Sequence, residues 1–295
     1  MAAPILASWA VNGFFAISGY LIAGSRIRLT LGKYFARRSR RIMPGFWVML
    51  VVVAFGFAPL YAALTGDHWS PVSSLRYVIG NAGLLITQPD IAGIERNAPL
   101  WTLAYEAGCY IAFGLLLSLE FVRRHGAIVC AALLVALMAL HPIVTPADHG
   151  LVGASVRLGS FFTAGALCWF LRDRIPARWW VMVSAAAIVA VLSVVADGQW
   201  YGQLPAAMAL LTAGALLPIR VGVKNDVSYG VYIYGWPVQQ TLLAIGAADF
   251  GVYAFLALSL VLVLPFAWGS WLLVERRWQH PQRRGADAWL TSARS

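Results

Sequence analysis

The chain has 295 residues, of which 60% are hydrophobic and only 12% charged, and its mean hydropathy is +0.72. A soluble domain carries roughly 25% charged residues and 45–50% apolar ones, so a soluble enzyme, a disordered chain and a secreted disulfide scaffold are excluded. In such a composition the formal net charge of +10 reports membrane topology first, and no nucleic-acid partner is expected.

What remains is an all-α fold, a polytopic bundle of membrane helices with the lipid bilayer as its partner. Each crossing needs about 20 mostly apolar residues. In chain order the sequence predicts spans over 5–24, 42–64, 99–121, 126–144, 156–171, 179–197, 203–219, 227–248 and 252–274, about nine transmembrane helices. The stretch 73–88 is shorter and interrupted by Arg76, Gly80 and Asn81, which predicts a short helix or re-entrant segment. No cleavable signal peptide is read, because Met1 to Ala10 lack a basic region and the apolar run from Ile5 to Gly24 is long enough to span. Cys109, Cys130 and Cys168 lie in apolar stretches without CxxC spacing and read as buried small hydrophobes; no metal site is expected. Residues 1–275 read as a single membrane-embedded domain and 276–295 as a basic cytoplasmic tail.

Loop charge orients the bundle. Of the 22 basic residues, Arg76, Arg96 and Arg157 fall on one side of the predicted spans and the other 19 on the opposite side, concentrated in the 25–41 loop and the tail. That split predicts both segments, and so the C-terminus, in the cytoplasm. An odd number of spans then leaves Met1 outside, and the simplest resolution is one further span upstream.

Ionisable groups inside hydrocarbon cost about 2.5–3.5 kcal/mol each on insertion scales and mark function by default. Glu106 lies in the 99–121 span, about 10 Å deep at 1.5 Å per residue. Thr102 at i−4 and Tyr110 at i+4 place hydroxyl, carboxylate and phenol on one helical stripe. Two readings stay open: a polar pocket where Glu106 orients an acceptor or a base, or an interhelical polar contact with Arg157 as partner. Arg37, Arg38, Arg40 and Arg41 pair at i,i+3 into a cationic ridge just before Ile42 and Pro44. Guanidinium forks suit phosphate, so a cytosolic polyphosphate such as coenzyme A fits the ridge; a topology anchor on anionic lipid would look the same. None of His68, His125, His141, His149 and His280 sits mid-span beside a carboxylate, and no nucleophile elbow, P-loop or HExxH occurs. His68 and His149 face the side where an acceptor would be.

Five ordered motifs over residues 12–276 then carry a resemblance. Asn12–Ile22, NGFFAISGYLI, resembles the FFxxSGYLI signature of the membrane acyltransferase-3 family. Lys33–Pro44, KYFARRSRRIMP, resembles its basic stretch, with the RxxR at Arg38 and Arg41. Leu100–Glu106, LWTLAYE, resembles W-x-L-x-x-E. Val227–Pro237, VSYGVYIYGWP, resembles S-Y-x-x-Y-L-x-x-W-P, and Ser270–Arg276, SWLLVER, resembles the closing S-x-x-x-x-E. The resemblance implies a ten-span protein with both ends in the cytoplasm, moving an acyl group, usually acetyl, from cytosolic acyl-CoA to a hydroxyl on the far side. It implies Glu106 in catalysis and Arg38 and Arg41 at the donor's phosphates; beside them Arg37 is expected at the donor, and Trp101, Tyr110, Arg157 and Trp236 at the substrate. Acyl-CoA enters as donor substrate, with no bound cofactor.

The family's proposed catalytic histidine belongs to a first span that does not follow Met1 here, and Gly235 stands where many members have histidine before the W-P pair. The expected function is a membrane O-acyltransferase of the bacterial inner membrane, acting on an extracytoplasmic or lipid-linked glycan of the cell envelope. The competing expectations are an N-terminally truncated inactive remnant and a non-enzymatic exporter of a small molecule. Against the exporter stand the lack of an internal repeat and of a Gly/Pro-broken helix pair.

Overall fold

The computed structural model describes residues 2–84, 90–94, 100–144, 151–195, 198–218 and 225–279. Among them the α-helices are α1 (Ala2–Arg28), α2 (Leu31–Val52), α3 (Ala58–Thr65), α4 (Pro71–Asn81), α5 (Trp101–Leu116), α6 (Glu120–Arg124), α7 (Gly126–Val144), α8 (Leu151–Phe170), α9 (Trp179–Val195), α10 (Gly198–Tyr201), α11 (Gln203–Leu216), α12 (Ser228–Ala244), α13 (Val252–Ser270) and α14 (Arg276–Gln279). Two π turns, Val53–Phe57 and Trp271–Glu275, join α2 to α3 and α13 to α14 without a break. The described residues contain no strand, only an isolated bridge between Ile91 and Ile94.

The nine expected segments overlap described helices, though not one for one as spans: 99–121 runs through α5 and a turn into α6. Among the described residues, three helices are long and apolar enough to cross a membrane: Leu31–Thr65, Leu151–Phe170 and Val252–Gln279. Gly126–Leu140, Trp179–Val194 and Gln203–Leu216 are apolar but shorter. Of the 73–88 stretch, the residues up to Asn81 belong to the helix α4 and 82–84 form a turn. Ser70 caps it by accepting from the Ser73 amide at 3.2 Å, and Pro71 takes the first turn, where its missing N–H costs nothing. The 25–41 segment departs from a simple loop: after a break at Leu29–Thr30 its arginines form the opening of α2, which continues through Pro44.

The chain forms two compact units, Met1–Tyr34 with Tyr105–Ile219, and Phe35–Ala104 with Arg220–Ser295. In the first, α1 packs along α8 on small residues. A Cβ on Gly19 would overlap the Phe162 carbonyl, and one on Gly165 would overlap the Ala16 carbonyl. Lipid gives helices no hydrophobic reason to associate, so such close backbone approach supplies the packing energy. Trp9 and Phe161 close one end of the seam edge to face, 6.0 Å apart. Arg26, which loop charge alone would leave in water, is buried instead: its Nε donates to the Gly114 carbonyl at 2.9 Å and its Nη2 to Ser118 Oγ at 2.7 Å, capping the end of α5.

In the second unit the core is built by Phe46, Met49 and Leu50 of α2, Val53 of the first π turn, Tyr77 of α4, and Ile233, Tyr234, Val238 and Leu242 of α12. Inside the first π turn the Ala54 carbonyl accepts from Ser74 Oγ at 2.6 Å and Trp69 Nε1 at 3.1 Å, so the loosened ladder stays satisfied. The helix α13 leaves Leu260, Val261 and Leu264 exposed, an apolar face suited to lipid. The three cysteines are free, Cys130 and Cys168 buried and Cys109 half-buried. The apolar helices make this a membrane protein.

Candidate functional site

In the first unit, α5 carries Glu106 into the interior with 5% of its surface exposed. Its Oε1 accepts from the Tyr110 hydroxyl one turn on, and from Ser18 Oγ at 3.5 Å across from α1. The Tyr110 carbonyl in turn accepts from the buried Tyr34 hydroxyl at 2.9 Å, and the Tyr110 ring lies 6.3 Å from that of Phe162. A carboxylate held by two hydroxyls is fixed in direction, and it can orient a further hydroxyl or take its proton.

The expected stripe is half realised. Tyr110 joins Glu106, whereas the Thr102 hydroxyl bonds the Tyr232 hydroxyl of α12. Arg157 is half-buried on α8, in the same unit as Glu106. Ser18 was not singled out from sequence, because nothing local pairs it with a residue 88 positions away. The only signal was its place in NGFFAISGYLI.

The second unit holds the cationic ridge. On α2, Arg37 and Arg40 are exposed while Arg38 and Arg41 are half-buried, so the helix turns the RxxR pair inward and the other pair to water. Arg41 Nη2 pairs with Asp226 Oδ2 at 3.0 Å, and Asp226 Oδ1 accepts from Ser228 Oγ at 2.5 Å. Around it the Tyr229 hydroxyl donates to the Ile42 carbonyl at 2.9 Å, and Trp271 Nε1 donates to Asn225 Oδ1 at 3.1 Å. Trp101 and Trp236 are half-buried in this unit.

The same end contains a second buried carboxylate that sequence reading did not weigh as a site. Glu275, 1% exposed, accepts from Ser270 Oγ at 2.8 Å, and its Oε2 has no hydrogen-bond partner among the described residues. In an α-helix a residue at i+5 lies about 140° round the axis from its start. The π turn Trp271–Glu275 brings the two ends of S-x-x-x-x-E onto one face, which is the physical content of that spacing. Gly45 of α2 is closely covered there: a Cβ would stand 2.9 Å from the Tyr229 ring and 3.3 Å from Glu275 Oε1.

His68 is exposed between α3 and α4, and His125 is exposed with its ring 4.7 Å from Phe121. His149, His280 and the side chain of His141 lie outside the described residues. At Gly235 a Cβ would meet nothing within 4 Å, so the position has room for a larger side chain.

The profile of the acyltransferase-3 family, described as an acyltransferase domain, matches residues 1–275. The chain is 29% identical over 287 residues to a protein named O-acetyl transferase from Shigella phage Sf6, covering 91% of this chain and 84% of that one. It is 25% identical over 301 residues to Nodulation protein 10 of Rhizobium leguminosarum bv. viciae, covering 89% of this chain and 80% of the relative. No solved structure matches the chain significantly. With its motif residues gathered into the hydrogen-bonded clusters around Glu106 and Arg41, and a family profile spanning all five motifs, the chain belongs to the acyltransferase-3 family of membrane acyltransferases.

Proposed function

We propose that this protein is an O-acyltransferase that carries an acetyl group from cytosolic acetyl-CoA to a hydroxyl of an extracytoplasmic or lipid-linked glycan. The transfer forms an ester bond as the thioester C–S bond breaks; the acceptor hydroxyl loses its proton to a base, and coenzyme A leaves as the thiol. Glu106 orients the acceptor or the base, Tyr110 and Arg157 line its side, and Arg38 and Arg41, with Arg37, hold the donor's phosphates. Trp101 and Trp236 offer flat apolar faces to the substrate. The protein sits in the bacterial inner membrane with about nine spans and its tail, 276–295, in the cytoplasm, a reading supported by the lopsided loop charge.

The observation that carries the proposal is the buried Ser18–Glu106–Tyr110 cluster, which draws two distant motifs onto one carboxylate. The Sf6 relative's name supports acetyl as the group moved. The test is genetic and chemical. Deleting the chromosomal copy in the source organism should remove an O-acetyl ester from an envelope glycan, read by NMR of the purified polymer. The native gene should restore the ester and Glu106→Gln should not. An unchanged acetyl pattern across envelope glycans would refute the assignment.

A further inference from the structure

Arg41 of the ridge stands in an ion pair whose partner is an acid of this same chain. The pair is only partly shielded, with 42% of the Arg41 side chain and 32% of the Asp226 side chain exposed. Half-exposed pairs of this kind are weak and exchange readily. The Asp226 carboxylate turns one oxygen to the guanidinium at 3.0 Å and the other to the Ser228 hydroxyl at 2.5 Å. A phosphate group offers the same two-oxygen edge, with more charge. The flanking residues are fastened, Asn225 by Trp271 and Tyr229 to the Ile42 carbonyl, so the carboxylate can swing aside by side-chain rotation alone.

We infer that Asp226 is the resident anion of the donor-phosphate subsite. It occupies Arg41 and Ser228 until a phosphate of the donor displaces it, and it thereby sets donor affinity. This rests on the reading of Arg38 and Arg41 as donor-binding residues. The carboxylate also answers a need of the ridge itself, since Arg37, Arg38, Arg40 and Arg41 crowd like charges onto two turns of one helix. A competitor built into the site favours ligands with multiply charged phosphates over singly charged anions, which cannot outbid a carboxylate already in place.

The experiment is calorimetric binding of coenzyme A to the purified full chain in zwitterionic nanodiscs, with free inorganic phosphate as second probe. Asp226→Asn and Asp226→Ala, which differ in shape but both remove the charge, should each bind coenzyme A about tenfold more tightly, the effect of freeing one charge-assisted contact. Asp226→Glu, which keeps the charge, should stay within a few-fold of wild type. Arg41→Ala should weaken binding, and the gain from Asp226→Asn should vanish when the two are combined. Unchanged or weaker binding in both charge-removing variants, with Arg41→Ala still weakening it, would overturn the inference and leave the donor reading standing. Unchanged binding in Arg41→Ala would sink the donor reading itself.

Discussion

Tyr110→Phe removes a single hydroxyl from Glu106 while keeping the ring beside Phe162. A hydrogen bond to a charged acceptor contributes about 1.5–3 kcal/mol, and a buried carboxylate that loses its donor gains no water in exchange. Glu106 is 5% exposed and its bond from Ser18 is long at 3.5 Å, so the loss belongs near about 2 kcal/mol. By the scaling of soluble domains, about 2.1 cal/mol/K of unfolding entropy per residue, that lowers the Tm of a chain of 295 residues by roughly 3 °C. The assay is thermal unfolding in detergent with a thiol-reactive dye, since Cys130 and Cys168 are free and buried until the bundle opens. Combined with Glu106→Gln in a double-mutant cycle, Tyr110→Phe should show a coupling of at least about 1 kcal/mol. Glu106→Gln keeps shape and a polar group, so its main loss should appear in acyl transfer rather than in Tm. Additivity of the two changes within about 0.5 kcal/mol would refute the pairing on which the site is built.

A reporter fused after Arg294 should read cytoplasmic and one inserted near His149 extracytoplasmic; agreement between the two would dismantle the charge-based topology. Gly165→Val should lower the folded yield sharply, because its side chain meets the Ala16 carbonyl of α1, at a cost of about 1–3 kcal/mol or more. Gly235→His, where a Cβ meets nothing within 4 Å, should melt within about 0.5 kcal/mol of wild type. Ser270→Ala should destabilise by about 1–3 kcal/mol, because it takes away the bond to Glu275 Oε1 when Oε2 already has none. Ser270→Thr, which keeps the hydroxyl, should recover most of that loss in the same melting assay.

The parts legible in the sequence were those fixed by local periodicity. The 126–144 segment is the helix Gly126–Val144, the arginines at i,i+3 share a helix, and Tyr110 reaches Glu106 at i+4. What escaped was set by contacts distant along the chain. Thr102 had the right spacing for Glu106, yet its hydroxyl goes to Tyr232, 130 positions away. Arg26 counted as a loop charge, but the end of α5 offers it carbonyl and hydroxyl acceptors, which repay its burial. Ser270 and Glu275 are out of phase on an α-helix, because five residues do not close an α turn, and the wider π turn aligns them. Asp226 carries no periodic signal at all; its meaning lies in the arginine 185 positions before it.

The two π turns also decide where each helix points its later residues. An α-helix advances about 100° per residue, so one extra residue folded into a turn rotates everything downstream by that amount. Residues on either side of 53–57 or 271–275 therefore do not share a face when spaced by seven, and apolar stripes drawn through these helices on a helical wheel are misphased beyond them. Arg276 and Arg277 stand exposed at the end of α13's continuation on a bearing set by the wide turn before them. Removing one residue from Trp271–Val274 would leave the sequence after Glu275 unchanged and still swing both charges about a quarter of the way round the helix.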